Sequence, residues 1–341
     1  MKKSLLIITM FVSFVSVFGQ IPAGYYDGTE SLTGESLKSA LHNIIDDHQE
    51  YSYNNLRDFI LRETDEDPNN SNNVILLYTG RSQPKNTFGG NANDWNREHV
   101  WAKSHGDFGN YPPCGTDAHH IRPTDASVNS SRGNKDFDNG GQQHNEATGC
   151  YYDGDSWEPR DEVKGDVARM IFYMATRYEG DNGEPDLMVV DYVNTSPQPR
   201  HGKLSTLLQW NEQDPVDDFE ANRNEVVFGY QQNRNPFIDH PEFANKIWNY
   251  NTGISDITAE EFKVYPNPVN SRLTIEAPVD FNAKDWSVKV YSSLGKEVSV
   301  AVGKNNSKFY LDVRNLPLGH YFVTFVDGSR KQVQVRFAVV N

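Results

Sequence analysis

The chain has 341 residues and a formal net charge of −15, from 47 acidic and 32 basic side chains. This charge excludes a protein that binds nucleic acid through a globally basic surface, so such an activity would need a local patch or a bound cation. Aromatic residues make up 12% of the chain, too many for a disordered protein. We therefore expect a folded, loop-rich chain with more than one core.

The first residues have the pattern of a secretory signal peptide. Two lysines precede an apolar run from Leu5 to Phe18, and Val17 and Gly19 have the spacing of a signal-peptidase site. We predict a cleaved signal peptide over residues 1–19. The run is short for a membrane-spanning helix and no other stretch approaches that length, so we expect no membrane span in the mature chain.

Secretion bears on the two cysteines, Cys114 and Cys150. Because an exported protein meets an oxidising compartment, we predict a disulfide between them that stabilises the fold by about 4 kcal/mol. Two buried free thiols are the main alternative. A zinc site with nearby histidines is a weaker one, since neither cysteine has a C-x-x-C spacing.

Apolar periodicity predicts a helix over Ser36–Asp47, a buried strand over Val74–Tyr78 and a helix that begins near Asp166. The last helix carries Arg169 and Arg177 on nearly the same side. These arginines either stay solvated or face a phosphate.

The segment from Asn96 to Lys135 contains four of the ten histidines and has a net charge of +1 in a strongly acidic chain. We predict a strand over Glu98–Lys103, a loop, a strand over Ala118–Arg122 that stops at Pro123, and a short helix that includes Asn129. The local charge has the right sign for a phosphate ligand.

Three residues of this segment suit phosphodiester hydrolysis, which needs a base and a cation. A neutral His99 can act as the base, because its ordinary pKa is about 6.5. Glu98 and Asn129 offer the hard oxygen ligands that Mg²⁺ prefers. Adjacent strand residues point to opposite faces, so Glu98 and His99 share a site only if the strand twists or ends there.

Three stretches carry a resemblance to secreted bacterial endonuclease I: N-R-E-H-V-W (96–101), D-A-H-H-I-R-P-T-D (117–125) and S-V-N-S-S-R-G-N (127–134). The helix near 165–178 and N-R-N-P-F-I-D (233–239) also resemble the family. These enzymes are nonspecific nucleases with a ββα-metal (His-Me) finger.

The resemblance implies that His99 is the base and that Glu98 and Asn129 bind the metal. It implies Mg²⁺ as cofactor, with Mn²⁺ or Ca²⁺ as alternatives, and products with 5′-phosphates from DNA, with RNA as a second substrate. His120 is a departure, because some relatives carry Asn at that position. This departure leaves open the role of the His119–His120 pair.

Other residues of the segment have two interpretations each. Arg122 and Arg132 either clamp substrate phosphates or anchor loops through carboxylates. We expect His119 to orient a group of the site through its ring rather than to bind metal. Outside the segment, Asp153 and Asp155 belong to an acidic loop that we interpret as solvated rather than as a calcium site.

The C-terminal region reads as short strands with intervening turns, which predicts a small β-sandwich without catalytic groups. V-Y-P-N-P (264–268) and L-P-L-G-H-Y (316–321) resemble the type IX secretion sorting domain. The resemblance implies the type IX secretion machinery as partner and a secreted or cell-surface protein that passes through the periplasm.

The sequence thus predicts an α+β protein with a mainly helical, loop-rich nuclease domain (20–248) and an embedded ββα-metal finger. A linker (249–256) and the sorting domain (257–341) follow. We expect a metal-dependent, largely sequence-nonspecific endonuclease. The alternatives are a phosphodiesterase for smaller nucleotides and an inactive protein that binds nucleic acid or a surface. The intact set of Glu98, His99 and Asn129 argues against the inactive protein, since a binding protein has no use for a base.

Overall fold

The computed structural model describes residues 21–248, 262–277, 286–292, 296–305, 308–327 and 332–340. The chain divides into two compact units, Met1–Tyr250 and Asn251–Asn341. The predicted signal peptide (1–19) and linker (249–256) lie outside the described residues. The domain boundaries drawn from the sequence therefore stay predictions.

Helices are the larger part of the regular secondary structure in the first unit. Its central helix is fully buried along its length and packs against the first, sixth and eighth helices. The described α-helices are α1 (Gly34–Ile45), α2 (Tyr53–Asn55), α3 (Leu61–Thr64), α4 (Ala126–Arg132), α5 (Lys164–Arg177), α6 (Leu204–Gln213), α7 (Asp218–Gln231), α8 (Pro236–Asp239) and α9 (Glu242–Trp248). A π-helical turn, Leu56–Ile60, joins α2 to α3.

Short strands form small sheets between these helices. They are β1 (Glu66–Asp67), β2 (Asn70–Ile75), β3 (Ser82–Pro84), β4 (Trp95–His99), β5 (Ile121–Asp125), β6 (Asp136–Phe137), β7 (Gln142–Gln143), β8 (Tyr151–Tyr152), β9 (Ser156–Glu158), β10 (Met188–Val189) and β11 (Arg200–His201). The sheet orders are β1–β2–β3, β4–β5, β6–β9–β8–β7 and β10–β11. This mixture of helices and sheets confirms an α+β protein.

The second unit consists of strands in its described part. They are β12 (Lys263–Tyr265), β13 (Arg272–Glu276), β14 (Trp286–Ser292), β15 (Glu297–Val298), β16 (Ala301–Asn305), β17 (Lys308–Asp312), β18 (Gly319–Asp327) and β19 (Gln332–Val339). They form two four-stranded sheets, β12–β13–β17–β16 and β15–β14–β18–β19. Side chains of both sheets share one apolar core, in which the rings of Phe309 and Phe325 lie 4.9 Å apart.

Several of the predicted boundaries are wrong. The first strand of the predicted finger, expected over Glu98–Lys103, spans Trp95–His99. The second strand of the predicted finger does not stop at Pro123 but continues to Asp125. Proline fits there because a two-stranded sheet needs no N–H at this position. Its carbonyl accepts a hydrogen bond from the Leu77 amide (2.9 Å). The predicted helix over Ser36–Asp47 is present but spans Gly34–Ile45.

Candidate active site

The candidate site is built on the antiparallel pair β4–β5 and on helix α4. Glu98 lies opposite Arg122 in the pair, and His99 lies opposite Ile121. Helix α4 begins directly after β5 and packs against both strands. The order of strand, loop, strand and helix predicted from the sequence is therefore present. It brings the helix that carries Asn129 back onto the strand that carries Glu98 and His99.

Glu98 is buried, and only one of its two oxygens is engaged. The Tyr78 hydroxyl donates to Glu98 Oε1 (2.6 Å), and Arg132 Nη1 lies 3.4 Å from the same oxygen. Oε2 accepts no hydrogen bond from a described residue. Burial raises the pKa of Glu98, while Arg132 and Tyr78 act in the opposite direction by stabilising the carboxylate. Glu98 is therefore held in one orientation with one oxygen available.

Asn129 is oriented in a similar way by the strand beneath it. Its Nδ2 donates to Asn96 Oδ1 (2.8 Å) and to the Arg97 carbonyl (3.1 Å). Both partners accept, so the amide nitrogen must face them and the amide oxygen faces away. Within the described ranges, Oδ1 has no hydrogen-bond donor. Asn129 thus also presents one free, hard oxygen.

His99 is the last residue of β4 and is almost completely buried. Its Nε2 lies 3.2 Å from the Gly115 carbonyl oxygen. Because a carbonyl only accepts hydrogen bonds, Nε2 carries the proton and Nδ1 keeps the lone pair. The Tyr53 ring stacks on the imidazole at 5.7 Å. Burial and the neighbouring His120 hold the pKa of His99 well below its usual 6.5, which keeps the ring neutral, as a base must be.

Glu98 and His99 do point to opposite sides of β4. Asn96, two residues before Glu98, bonds to Asn129, whereas Arg97 and His99 both contact the Tyr53 ring. The strand ends at His99. A strand that ends there is one of the two conditions under which Glu98 and His99 were expected to share a site. Direct contact among the three candidate residues is not present in the structure.

Arg132 contacts both Glu98 and His99. Its Nη1 contacts Glu98 Oε1 and donates to the His99 carbonyl (3.2 Å), and its Nη2 donates to the Val100 carbonyl (2.7 Å). The side chain is 1% exposed. These contacts match the anchoring interpretation of Arg132 rather than the phosphate clamp, because its N–H donors face the protein.

Arg122 also matches the anchoring interpretation. It is buried in an ion-pair cluster with Asp65 and Asp166, and Nη1 lies 3.0 Å from Asp166 Oδ2.

Both interpretations of Arg169 and Arg177 are wrong. The two side chains are buried and pair with Glu220 (2.5 Å) and Glu184 (2.7 Å), so they are neither solvated nor open to a phosphate. Glu220 lies on α7 and Glu184 lies in the loop seven residues after Arg177, and a hydropathy pattern reveals neither contact.

The His119–His120 pair lies in the interior. His119 Nε2 is 3.1 Å from the Asn233 carbonyl oxygen, and His120 Nε2 is 2.9 Å from the Cys114 carbonyl oxygen. Burial lowers the pKa of each ring to about 4. His120 contacts His99, with ring centroids 5.5 Å apart. His120 is thus the member of the pair that touches the candidate base, whereas the sequence pointed to His119.

The predicted disulfide is wrong, because Cys114 and Cys150 are both free, buried thiols. Cys150 Sγ donates to the Tyr78 carbonyl at 3.3 Å, whereas Cys114 begins the 3₁₀ turn Cys114–Thr116. Burial raises the pKa of both thiols, that of Cys150 to about 11. The two side chains therefore act as small apolar groups in separate surroundings.

A second buried polar cluster was not predicted. It consists of His105, Asp136 and His201, whose ligand atoms lie within 4.8 Å of one another. Arg132 Nη2 lies 3.3 Å from His201 Nε2, so this cluster adjoins the arginine that contacts Glu98. Another group of three, His42, Asp46 and Asp181, lies nearer the surface. Among the described residues neither group contains Glu98, His99 or Asn129.

The sequence pattern of the Endonuclease I family matches residues 33–242, and the chain belongs to this family. The pattern of the secretion system C-terminal sorting domain matches residues 263–339. These two matches cover both compact units. They confirm the resemblance drawn from the sequence motifs.

Curated relatives agree with this assignment. The chain is similar to "Extracellular ribonuclease" of Bacillus subtilis (strain 168), with 64% identity over 225 residues that cover 66% of this chain and 78% of the relative. "Extracellular ribonuclease" of Bacillus amyloliquefaciens is 61% identical with the same coverage. "Endonuclease-1" of Buchnera aphidicola subsp. Baizongia pistaciae (strain Bp) is 25% identical over 135 residues, 38% of this chain and 48% of the relative.

The protein is therefore a nuclease, secreted or held at the cell surface, that carries a type IX sorting domain. The alternative of an inactive binding protein is set aside. Within the described ranges, no helix combines the length and the hydropathy that a membrane-spanning segment needs.

Proposed function

We propose that the chain is a metal-dependent, largely sequence-nonspecific endonuclease that hydrolyses phosphodiester bonds in DNA and RNA. The observation that carries the proposal is the free ligand atom on each of three neighbouring residues: Oε2 of Glu98, Oδ1 of Asn129 and Nδ1 of His99. Two hard oxygens and a neutral imidazole are the groups that metal-assisted hydrolysis requires.

The donor set fits a divalent cation. Glu98 and Asn129 would hold it through their free oxygens, and Mg²⁺ suits them because it accepts few protein ligands and keeps several waters. Mn²⁺ and Ca²⁺ favour the same donors. When bound, the metal stabilises the negative charge that develops on the phosphoryl oxygens and the leaving oxygen. We assign this arrangement to the ββα-metal finger class.

The residues of the chain supply the remaining steps. Tyr78 and Arg132 hold Glu98 Oε1, and Asn96 holds Asn129, so that the free oxygens are fixed before metal binds. The Gly115 carbonyl fixes the tautomer of His99. Nδ1 of His99 then removes a proton from the attacking water. With the 3′ oxygen as leaving group, the products carry 5′-phosphates.

RNA as a substrate is supported by two relatives that are named ribonucleases, and a third is named an endonuclease. Low sequence specificity follows from the chemistry, because the candidate groups act on phosphate and water rather than on bases. For the second unit we propose a β-sandwich that addresses the enzyme to the type IX secretion machinery and takes no part in catalysis.

A cleavage assay tests the function. Supercoiled plasmid and a structured RNA are incubated with the purified protein, with and without EDTA. We expect nicking of the plasmid and fragmentation of the RNA, both stopped by EDTA and restored by Mg²⁺ or Mn²⁺. Full activity after exhaustive chelation would contradict the metal-dependent mechanism. Activity confined to dinucleotides would indicate a phosphodiesterase for small substrates.

A further inference from the structure

Tyr111 is the most exposed large apolar side chain in the part of the chain that the structure describes, with 77% of its surface accessible. Its hydroxyl has no hydrogen-bond partner among those residues. The ring thus offers a flat apolar face to solvent in a loop that follows β4 directly.

The loop around Tyr111 is closed and shaped by two glycines. The Gly115 amide donates to the Tyr111 carbonyl at 2.9 Å. A side chain at Gly115 would lie 2.6 Å from the Gly109 carbonyl oxygen, so the loop closes this tightly only with glycine there. Gly109 has φ +65°, and a Cβ on it would meet the Tyr111 ring at 3.2 Å. The ring therefore lies beside the Gly109 backbone.

The same loop contacts the candidate base and holds a lysine. The Gly115 carbonyl lies 3.2 Å from His99 Nε2 and fixes the tautomer of the base. On the other side of Tyr111, Asn110 Oδ1 accepts a hydrogen bond from Lys103 Nζ at 2.6 Å. Tyr111 thus lies between the residue that orients the base and a residue that binds a lysine.

The edge of the site beside this loop is positively charged. Lys103 and Arg97 both lie close enough to His99 to help lower its pKa. Arg57 also lies near Arg97 but pairs with Asp58 (2.6 Å), so it adds little charge there. The Arg97 guanidinium stacks on the Tyr53 ring at 3.4 Å from its centroid. In a chain with a net charge of −15, Lys103 and Arg97 next to the base are suited to a phosphate backbone.

We propose that Tyr111 stacks on an unpaired base of the strand whose phosphate lies at His99, so that the enzyme prefers single-stranded nucleic acid. The proposal rests on the proposed nuclease function of the same site. Combining cations for the backbone with an aromatic face for the bases is the general physical solution for binding an unpaired strand. In a perfect duplex both faces of each base are covered by neighbouring bases, so Tyr111 gains a stacking partner only where the strand is unpaired.

The test compares three substrates of one length, in the ribose and the deoxyribose series: a single strand, the same strand in a perfect duplex, and a single strand of abasic residues. The variants are Tyr111→Ala, Tyr111→Phe and, as a matched control, Tyr192→Ala. Tyr192 is also exposed in the first unit, but its hydroxyl accepts a hydrogen bond from Arg200. His99→Ala reports separately on the proposed function.

We expect Tyr111→Ala to lower kcat/KM on the single strand by about 5- to 100-fold, the range that loss of base–aromatic stacking gives. Tyr111→Phe keeps the ring and should match the parent, as should Tyr192→Ala. On the duplex and the abasic strand, Tyr111→Ala should match the parent, because neither offers an unpaired base.

An equal loss on all three substrates, or no loss on the single strand, would overturn the stacking role. A parent that cleaves the abasic strand as fast as the normal one would also overturn it. Parental activity of His99→Ala on every substrate would instead refute the nuclease mechanism, so the two failures are distinguishable.

Discussion

The first unit contains two buried polar clusters, and they differ in one respect. In the cluster of His105, Asp136 and His201, the ligand atoms already have partners. His105 contacts carbonyl oxygens through both ring nitrogens (2.7 and 2.8 Å), and Asp136 accepts from Thr195 and from the Gly202 amide. In the candidate site, Glu98, His99 and Asn129 each keep one atom free.

The difference shows that proximity of metal-binding residue types does not by itself mark a metal site. Satisfied polar groups stabilise the fold, whereas a reactive group must be held by neighbours and still keep an atom for substrate or metal. Tyr78, Asn96 and Gly115 do this holding in the candidate site. We therefore expect substitutions in the two clusters to affect different properties.

The largest contrast is expected between two histidines. His99→Ala removes the proposed base, so turnover per folded molecule should fall at least ~100-fold. It also removes the partner of the Gly115 carbonyl, so a lower Tm is expected here as well. His105→Ala leaves two buried carbonyl groups without their partner, so it should lower Tm while turnover per folded molecule stays close to the parent. Initial rates and thermal unfolding of both variants test this. Near-parental turnover per folded molecule of His99→Ala would refute the proposed mechanism.

The second contrast concerns the metal requirement. Glu98→Gln and Asn129→Ala should raise the Mg²⁺ concentration for half-maximal cleavage by at least about 10-fold, and Tyr78→Phe should do so by a similar factor because it releases Glu98 Oε1. Asp136→Asn, with its carboxylate outside the proposed site, should lower Tm and leave the Mg²⁺ requirement unchanged. Mg²⁺ titrations of cleavage decide the matter. An increased Mg²⁺ requirement in Asp136→Asn alone would place the metal at the cluster of His105, Asp136 and His201 instead of at Glu98 and Asn129.

The third prediction uses the buried, neutral histidines. His119 and His120 have a pKa of about 4 in the folded protein, against 6.5 ordinarily. Between these values the unfolded chain binds more protons than the folded one, so stability should fall as pH drops from 6.5 towards 4. The loss is up to about 3 kcal/mol for each ring.

Urea unfolding between pH 7 and pH 4 measures this loss. His120→Asn should reduce the slope, since one of the buried rings that resist protonation is then absent; the pKa values of His48, His99 and His201 are also lowered by burial. The lowered pKa of Asp117 contributes stability above its ordinary value of 3.8, so its contribution is constant in this range. Because burial raises the pKa of Glu220 to about 8, which acts in the opposite direction, the comparison of slopes decides: a slope in His120→Asn equal to that of the parent would contradict the buried, neutral state of His120.

The smallest effect is expected from removing the second unit. Each unit has its own apolar core, so truncation near Ser255 should leave the specific activity and Tm of the nuclease unit unchanged. In the native host the truncated protein should accumulate in the periplasm. A truncated enzyme that is many-fold slower would show that the second unit binds substrate. Unchanged export of the truncated protein would show that the second unit is not the secretion signal.

The sequence was most informative where function depends on neighbours along the chain. The motif around Glu98 and His99 and the matching segment at Asn129 predicted the strand pair and the helix, because short-range patterning sets such elements. The apolar face of α5 was likewise visible. Its burial along the whole length was not, since it depends on helices that arrive from distant parts of the chain.

The groups that orient the site could not be predicted for the same reason. Tyr78 reaches Glu98 from a segment that the sequence showed only as a buried strand, and Gly115 reaches His99 from a loop without a recognisable pattern. The sequence left both interpretations of Arg122 and Arg132 open because their partners, Asp65 and the backbone of β4, are set by tertiary packing. The prediction of a disulfide was wrong because the cellular compartment indicates whether thiols are oxidised, but not whether two cysteines lie close enough to pair.

The most direct test of the account is the position of the metal. Crystals grown with Mn²⁺ would show it by anomalous scattering. We predict a single strong peak within coordination distance of Glu98 Oε2 and Asn129 Oδ1. A peak among His105, Asp136 and His201, or among His42, Asp46 and Asp181, with none at Glu98, would contradict the claim that free oxygens mark the catalytic site.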